Sequence, residues 1–324
     1  MDASDLAARV IAGDRRALAR AITVVESTRG ADRAAALVLA GAAAATGRQA
    51  LRIGLSGAPG VGKSSLVETL GLMLTARGLR LAVLAVDPSS VRGGGAILGD
   101  KTRMERLARD PRAFIRPSPG QAGHGGIARR TRDAVLLCEA AGFDVVLVET
   151  VGVGQSETLV AEVTDLFVLM LAPGAGDDLQ GVKRGIMERA DLILVNKADG
   201  GQEAAAERTR SDHAAALRLM RPRPADPEGG PQVLCVSALE GKGLPEAWDA
   251  MTALADWRRE RGHFAARRKA QARAWFEAEV REELLARLTA RPDLRRAMVE
   301  VGAAVEAGEI SPDQGVARIV GMLP

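Results

Sequence analysis

Gly57-Ala58-Pro59-Gly60-Val61-Gly62-Lys63-Ser64 follows the apolar run Leu51 to Ser56 and leads into Ser65-Leu66-Val67-Glu68-Thr69-Leu70. Strand, glycine-rich loop and helix come in that order, and the loop fits the pattern G-x-x-x-x-G-K-[ST] at every fixed position. The glycines let the backbone wrap a phosphate with its N–H groups turned inward, at a helix N-terminus whose dipole favours an anion. Lys63 is then expected to reach the β and γ phosphates, and the Ser64 hydroxyl to face Mg²⁺. A glycine-rich turn matching by chance would not be expected to sit between a strand pattern and a helix pattern.

Outward from this loop, Leu51 to Trp257 alternates apolar strand runs with helical segments, which implies an α/β fold with a mostly parallel sheet flanked by helices, the phosphate-loop NTPase class. The expected strands are Leu51 to Ser56, Leu81 to Val86, Ala113 to Arg116, Val145 to Glu149, Leu166 to Leu171, Leu192 to Val195 and Val233 to Val236. Residues 1–48 read as a helical preface, with Asp14 as an N-cap. Residues 49–257 form the nucleotide domain and 258–324 a helical arm. In that arm Phe276, Val280, Leu284 and Leu288 make one apolar stripe, Arg291-Pro292 breaks the helix, and Ser311-Pro312 opens the last one. A basic helix, Arg258 to Arg273, is expected to separate the arm from the sheet, which makes the arm a candidate dimerisation element.

Functional loops in such sheets lie beyond the strand C-termini. The second strand leads into Asp87-Pro88-Ser89-Ser90 and a glycine-rich stretch carrying Asp100, expected as a mobile loop that ligates Mg²⁺ through water, although a passive surface loop would read alike. The fourth strand ends in Glu149-Thr150-Val151-Gly152-Val153-Gly154-Gln155. An acid there, with a glycine three residues on, matches the element that holds the magnesium shell and turns a Gly152 N–H to the γ phosphate. Gln155 either orients the attacking water or is a solvated loop residue. The loop from Pro173 to Met187, with Lys183 and Arg184, is a third mobile loop or a plain strand-to-helix connection. After Val195 comes Asn196-Lys197-Ala198-Asp199, the N-K-x-D element, whose Asp199 can accept hydrogen bonds from guanine N1–H and N2–H₂ that adenine lacks. Ser237-Ala238-Leu239 follows the last strand, where a backbone N–H is expected to meet guanine O6.

Composition narrows the function. The chain has 324 residues, 47% apolar, with no Tyr, three Trp and five Phe, so an aromatic platform for single-stranded nucleic acid is not expected. A net charge of +3 comes from 44 basic and 41 acidic residues that are interleaved rather than pooled, which argues against nucleic acid or a membrane surface as partner. No membrane-spanning run and no signal-peptide order occur, so a cytoplasmic location is expected. Cys138 and Cys235 lie in apolar contexts and read as reduced core residues.

With these segments in register, including Gly99-Asp100-Lys101-Thr102-Arg103-Met104, Gly13-Asp14-Arg15 and Ala21-Ile22-Thr23, the sequence resembles the MeaB/ArgK family of G-protein chaperones of adenosylcobalamin-dependent acyl-CoA mutases. Glu149 in place of the commoner Asp is a mark of that family. The resemblance implies a GTPase with GTP/GDP and Mg²⁺ as cofactors, dimeric through the arm, that guards methylmalonyl-CoA mutase and gates its cobalamin. It implies phosphate binding by Gly57, Ala58, Pro59, Gly60, Val61, Gly62, Lys63, Ser64 and Ser65, with Gly152 added. Guanine falls to Asn196, Lys197, Asp199, Ser237, Ala238 and Leu239, and magnesium to Ser64 with Asp87, Asp100 or Glu149. Lys63, Glu149 and Gln155 are the expected catalytic groups. Rival readings are an ATP-dependent kinase or ATPase linked to amino-acid transport, a nucleotide-locked scaffold, and a metal-delivery GTPase, though His124, His213 and His263 are scattered.

Overall fold

The computed structural model describes residues 2–27, 29–87, 104–119, 124–150, 156–174 and 184–322. β1 (Leu51–Gly57), β2 (Leu81–Asp87), β3 (Ala113–Pro119), β4 (Val145–Thr150), β5 (Leu166–Leu171), β6 (Leu192–Val195) and β7 (Gln232–Cys235) form a sheet in the order β3-β2-β4-β1-β5-β6-β7. Every pairing is parallel. Parallel neighbours require crossover connections, and the crossovers here put helices on both faces, which is why β1, β4 and β5 are buried at every position and read as nearly unbroken apolar runs. β3 runs on to Pro119, past the expected end at Arg116. β3 is at the edge of the sheet and pairs with β2, and an edge strand tolerates the missing N–H of Pro117 and Pro119.

On one face, Val146, Val148, Phe167 and Ile193 pack under α1 (Ala3–Ile11), α2 (Arg15–Glu26), α3 (Gly30–Ala45) and two further helices, α6 (His124–Ala140) and α9 (Glu203–Arg218). Asp14 caps α2 by accepting from Arg16 N and Ala17 N at 2.8 and 3.1 Å, and Leu18, Ile22 and Val25 form its buried stripe. α7 (Ser156–Val163) lies close over β1, because a Cβ on Gly54 would stand 2.4 Å from Val160 Cγ1. On the other face Leu147, Val168 and Leu194 meet Leu66, Leu70 and Leu74 of α4 (Lys63–Ala76), Leu107 of α5 (Glu105–Arg109), and Trp248 and Met251 of α10 (Leu244–Glu260). The short α8 (Arg184–Met187) precedes β6.

The amino edge of the sheet is fastened by buried charge. Arg52 on β1 makes a two-pronged pair with Glu139 of α6, at 2.9 and 2.6 Å. Asp165 takes the Arg52 N–H at 2.9 Å, Asp191 takes that of Phe167 at 2.7 Å, and both carboxylates then hold arginines from the following helices. Arg268 of α11 (His263–Ala290) reaches Asp165 at 2.6 Å, and Arg258 of α10 reaches Asp191 at 2.6 Å. Burial works against the Arg258 charge, but Asp191 and Asp226 outweigh it and hold its pKa above the ordinary value. Arg267, which donates to the carbonyls of Thr164 and Ala161, is pulled below it by burial. The stretch expected as a basic spacer is therefore the clasp on the sheet's amino edge. Its charges match carboxylates that sequence reading had no way to place beside them.

The chain divides into two compact units, Met1–Gln271 and Ala272–Pro324. The second contains the rest of α11, α12 (Pro292–Glu306) and α13 (Pro312–Val320). Pro292 starts α12, as the Arg291-Pro292 break predicts, and Ser311 with Gln314 forms a reciprocal capping box at α13. Phe276, Val280, Leu284, Leu285, Met298 and Val299 are exposed large apolar residues in this unit.

Candidate nucleotide site

The phosphate loop leaves the carboxyl end of β1, and its conformation needs its glycines. Gly62 has φ +94°, and a Cβ there would lie 2.6 Å from Asn196 Nδ2; a Cβ on Gly57 would lie 2.5 Å from the Met170 carbonyl oxygen of β5. Lys63 opens α4 and folds back along the loop, its ammonium donating to the carbonyls of Gly57 at 2.6 Å and Ala58 at 3.1 Å. The lysine is 8% exposed, so its charge is held inside the cradle that a phosphate would enter.

Glu149 stands at the end of β4, directly beside β1 in register with Leu55, and is 3% exposed. The Ser64 hydroxyl donates to its Oε1 at 3.2 Å. Behind this pair Thr150 donates to Ser56 at 3.2 Å, bracing the strand ends. Two hard oxygen groups, a hydroxyl and a buried carboxylate, thus meet at the helix N-terminus, the donor type that magnesium takes. Asp87 ends β2, whose backbone neighbours β4, while Asp100, Gly152, Gln155 and Lys183 lie outside the described residues.

The base side is built after β6 and β7. Asn196, 2% exposed, donates to the Val61 carbonyl at 2.8 Å and accepts from Ala238 N–H at 2.9 Å, so it staples the phosphate loop to the turn after β7. Lys197 is exposed and has φ +61°, uncommon for a non-glycine residue, and Ala198 N–H then bonds the Val236 carbonyl at 3.0 Å. Asp199 accepts the Ser237 hydroxyl on Oδ2, and that hydroxyl also takes the Glu240 N–H at 2.9 Å. The Asp199 carboxylate is therefore oriented before any base arrives. Leu239 is 85% exposed at the tip of the turn. Thr69 of α4 donates to the Ala238 carbonyl at 2.6 Å, a brace no motif announces, because nothing in the sequence puts a helix threonine under a turn far along the chain.

Lys63, Ser64, Glu149, Asn196, Asp199 and Ser237 thus fall on one carboxyl edge of the sheet. An apolar cavity of about 210 Å³ lined by Leu166, Leu192, Gln232 and Trp257 lies instead at the strand amino ends and is separate from this site.

Residues 18–293 match the model of the family described as "Methylmalonyl Co-A mutase-associated GTPase MeaB". The chain belongs to the MeaB family of GTPases. Among its relatives are the GTPase ArgK of Escherichia coli, 44% identical with 96% of this chain and 93% of that one covered. Another is the mouse mitochondrial methylmalonic aciduria type A homolog, 44% identical over 94% of this chain and 75% of that one. A crystal structure described as LAO/AO transport system kinase superposes with a TM-score of 0.77 at 37% identity, covering 98% of this chain and 96% of that chain. As a MeaB-family GTPase the chain binds guanine nucleotide and converts GTP to GDP and phosphate. Among the described residues no helix is long and apolar enough to cross a membrane.

Proposed function

We propose that this GTPase acts in the cytoplasm as a nucleotide-timed chaperone of an adenosylcobalamin-dependent acyl-CoA mutase, with methylmalonyl-CoA mutase the first candidate, gating cofactor loading and protecting the loaded enzyme. The reading is carried by one observation: a family described as mutase-associated matches across residues 18–293. The 1–48 preface, 49–257 nucleotide domain and 258–324 arm remain its working division, and the exposed apolar residues after position 271 support pairing of two copies through the arm.

In the mechanism, Asp199 accepts the guanine N–H groups and Ser237 holds its orientation. Lys63 exchanges the Gly57 and Ala58 carbonyls for phosphate oxygens, and with the loop N–H groups it stabilises charge on the γ-phosphoryl during in-line attack by water. Ser64 and Glu149 would hold Mg²⁺, with Asp87 or Asp100 as further candidates; the ion would neutralise charge on the phosphates. Gly152 N–H and Gln155 keep their proposed places at the γ phosphate and the attacking water. Basal turnover is slow, near the ~10⁻⁴ s⁻¹ of unassisted small GTPases.

The test is transfer of adenosylcobalamin to apo-mutase in the presence of GTP, GDP or a non-hydrolysable GTP analogue. The proposal expects transfer rates that depend on which nucleotide is bound. Identical rates in all three arms would remove the gating role. The solved relative described as a kinase supports a second reading, for which ADP should compete with GDP on equal terms.

A further inference from the structure

We infer that Thr69 is a positioning residue that slows nucleotide release: its hydroxyl fixes the Ala238 peptide and, through the adjoining Ser237, the Asp199 carboxylate. The inference rests on the guanine reading of this site. Thr69 lies in the second turn of α4, about 9 Å along the helix axis from Lys63. A threonine inside a helix ordinarily returns its hydroxyl to a carbonyl one turn back on the same helix. Thr23, Thr252 and Thr289 do so, donating to the carbonyls of Ala19, Trp248 and Leu285 at 3.0, 3.1 and 2.9 Å. Thr69 instead donates out of its helix, to the Ala238 carbonyl at 2.6 Å. Its methyl group lies beneath the same turn, 3.7 Å from where a Cβ on Gly241 would stand.

These contacts close a ring. Asn196 donates to the Val61 carbonyl of the phosphate loop at 2.8 Å and accepts the Ala238 N–H at 2.9 Å. The Ala238 carbonyl takes the Thr69 hydroxyl, and α4 runs back from Thr69 to Gly62, whose carbonyl accepts the Leu66 N–H at 2.9 Å. The Ala238 peptide is thus held from both sides, in a residue only 4% exposed, and a buried acceptor that loses its donor is a larger loss than one exchanged with water.

Ser237 precedes Ala238 in the chain, and its hydroxyl donates to Asp199 Oδ2. A turn ordered before the nucleotide arrives leaves no ordering cost to binding. Without the Thr69 bond that cost returns and appears mainly as faster release. Asn196 belongs to the N-K-x-D element, whereas Thr69 belongs to no motif, yet the ring is open without it.

The experiment uses the full chain with Mg²⁺ and follows release of fluorescent N-methylanthraniloyl GDP after addition of excess GDP. Thr69→Val keeps the branched shape and the methyl but removes the donor, and it should speed release about tenfold with little change in the association rate. Thr69→Ser restores the donor and should bring release back to within about threefold of the native rate. GDP affinity is then titrated for Thr69→Val in the native and the Asp199→Asn backgrounds. The loss should shrink from about tenfold to about twofold or less in the second, because Thr69 acts through Asp199. Release from Thr69→Val at the native rate, equal rates for Thr69→Ser and Thr69→Val, or the same loss in both backgrounds overturns the inference, while a native preference for GDP over ADP keeps the guanine reading standing. A native chain that binds GDP no more tightly than ADP overturns the guanine reading and this inference with it.

Discussion

In the proposed account Asp199, oriented by the Ser237 hydroxyl, is the residue on which base selection turns. Two hydrogen bonds to a charged carboxylate contribute about 1.5–3 kcal/mol each, so Asp199→Asn should weaken GDP by a factor on the order of 10² or more. The new amide donates where the carboxylate accepted, and xanthosine diphosphate should bind the variant better than the native chain; titration with both nucleotides checks this. Glu149→Gln keeps the shape of the Ser64 partner but removes its charge. It should lower kcat at least about tenfold with GDP affinity nearly kept, the pattern of an interaction that matters most in the transition state. Equal losses in kcat and GDP affinity would place Glu149 in ground-state binding instead. The placement of Lys63, Ser64 and Asp199 at the carboxyl edge was legible in the sequence, because each belongs to a motif whose spacing is read within a short segment of its own. The staple made by Asn196 was not, since Val61 and Ala238 become its neighbours only after the sheet forms.

Among the elements, the phosphate loop and the amino-edge clasp make separate predictions. Gly62→Ala puts a methyl 2.6 Å from Asn196 Nδ2 at φ +94°, so nucleotide binding should fail while the far edge of the sheet stays folded; circular dichroism and GDP titration separate the two. Arg268→Met leaves the 1%-exposed Asp165 carboxylate without its 2.6 Å partner, and breaking such a buried pair costs about 3–5 kcal/mol, read from urea unfolding. At α2 the Asp14 carboxyl is held below its ordinary pKa by the Arg9 guanidinium and by the Ala17 and Arg16 N–H groups. A lowered folded pKa means that this stabilisation is complete above the ordinary value of 3.8 and is lost as pH falls through the lower folded one. Asp14→Asn, which keeps an acceptor but does not titrate, should flatten that part of the acid profile. The strands were legible because parallel, doubly covered strands must be apolar throughout. The clasp was hidden because Arg52, Glu139, Asp165 and Arg268 are far apart in sequence, and charged residues read as surface until their partners are known.

For the whole molecule, the proposed account joins a guanine-nucleotide site at the carboxyl edge of one unit to an apolar surface on a second unit. Phe276 and Leu284 are 68% and 55% exposed, and the proposed account makes them part of the surface through which two copies pair. Phe276→Glu combined with Leu284→Glu should convert a dimer to a monomer in sedimentation while GDP affinity stays unchanged. A native chain that already sediments as a monomer would remove the dimer from the account. The measurement that bears most directly on the central claim is GTP turnover by the native chain with Mg²⁺, titrated with purified methylmalonyl-CoA mutase and repeated with ATP. The account predicts slow hydrolysis of GTP, little of ATP, and a saturable rise in the GTP rate as mutase is added. A fast basal rate that mutase leaves unchanged, or equal turnover of ATP, would contradict it.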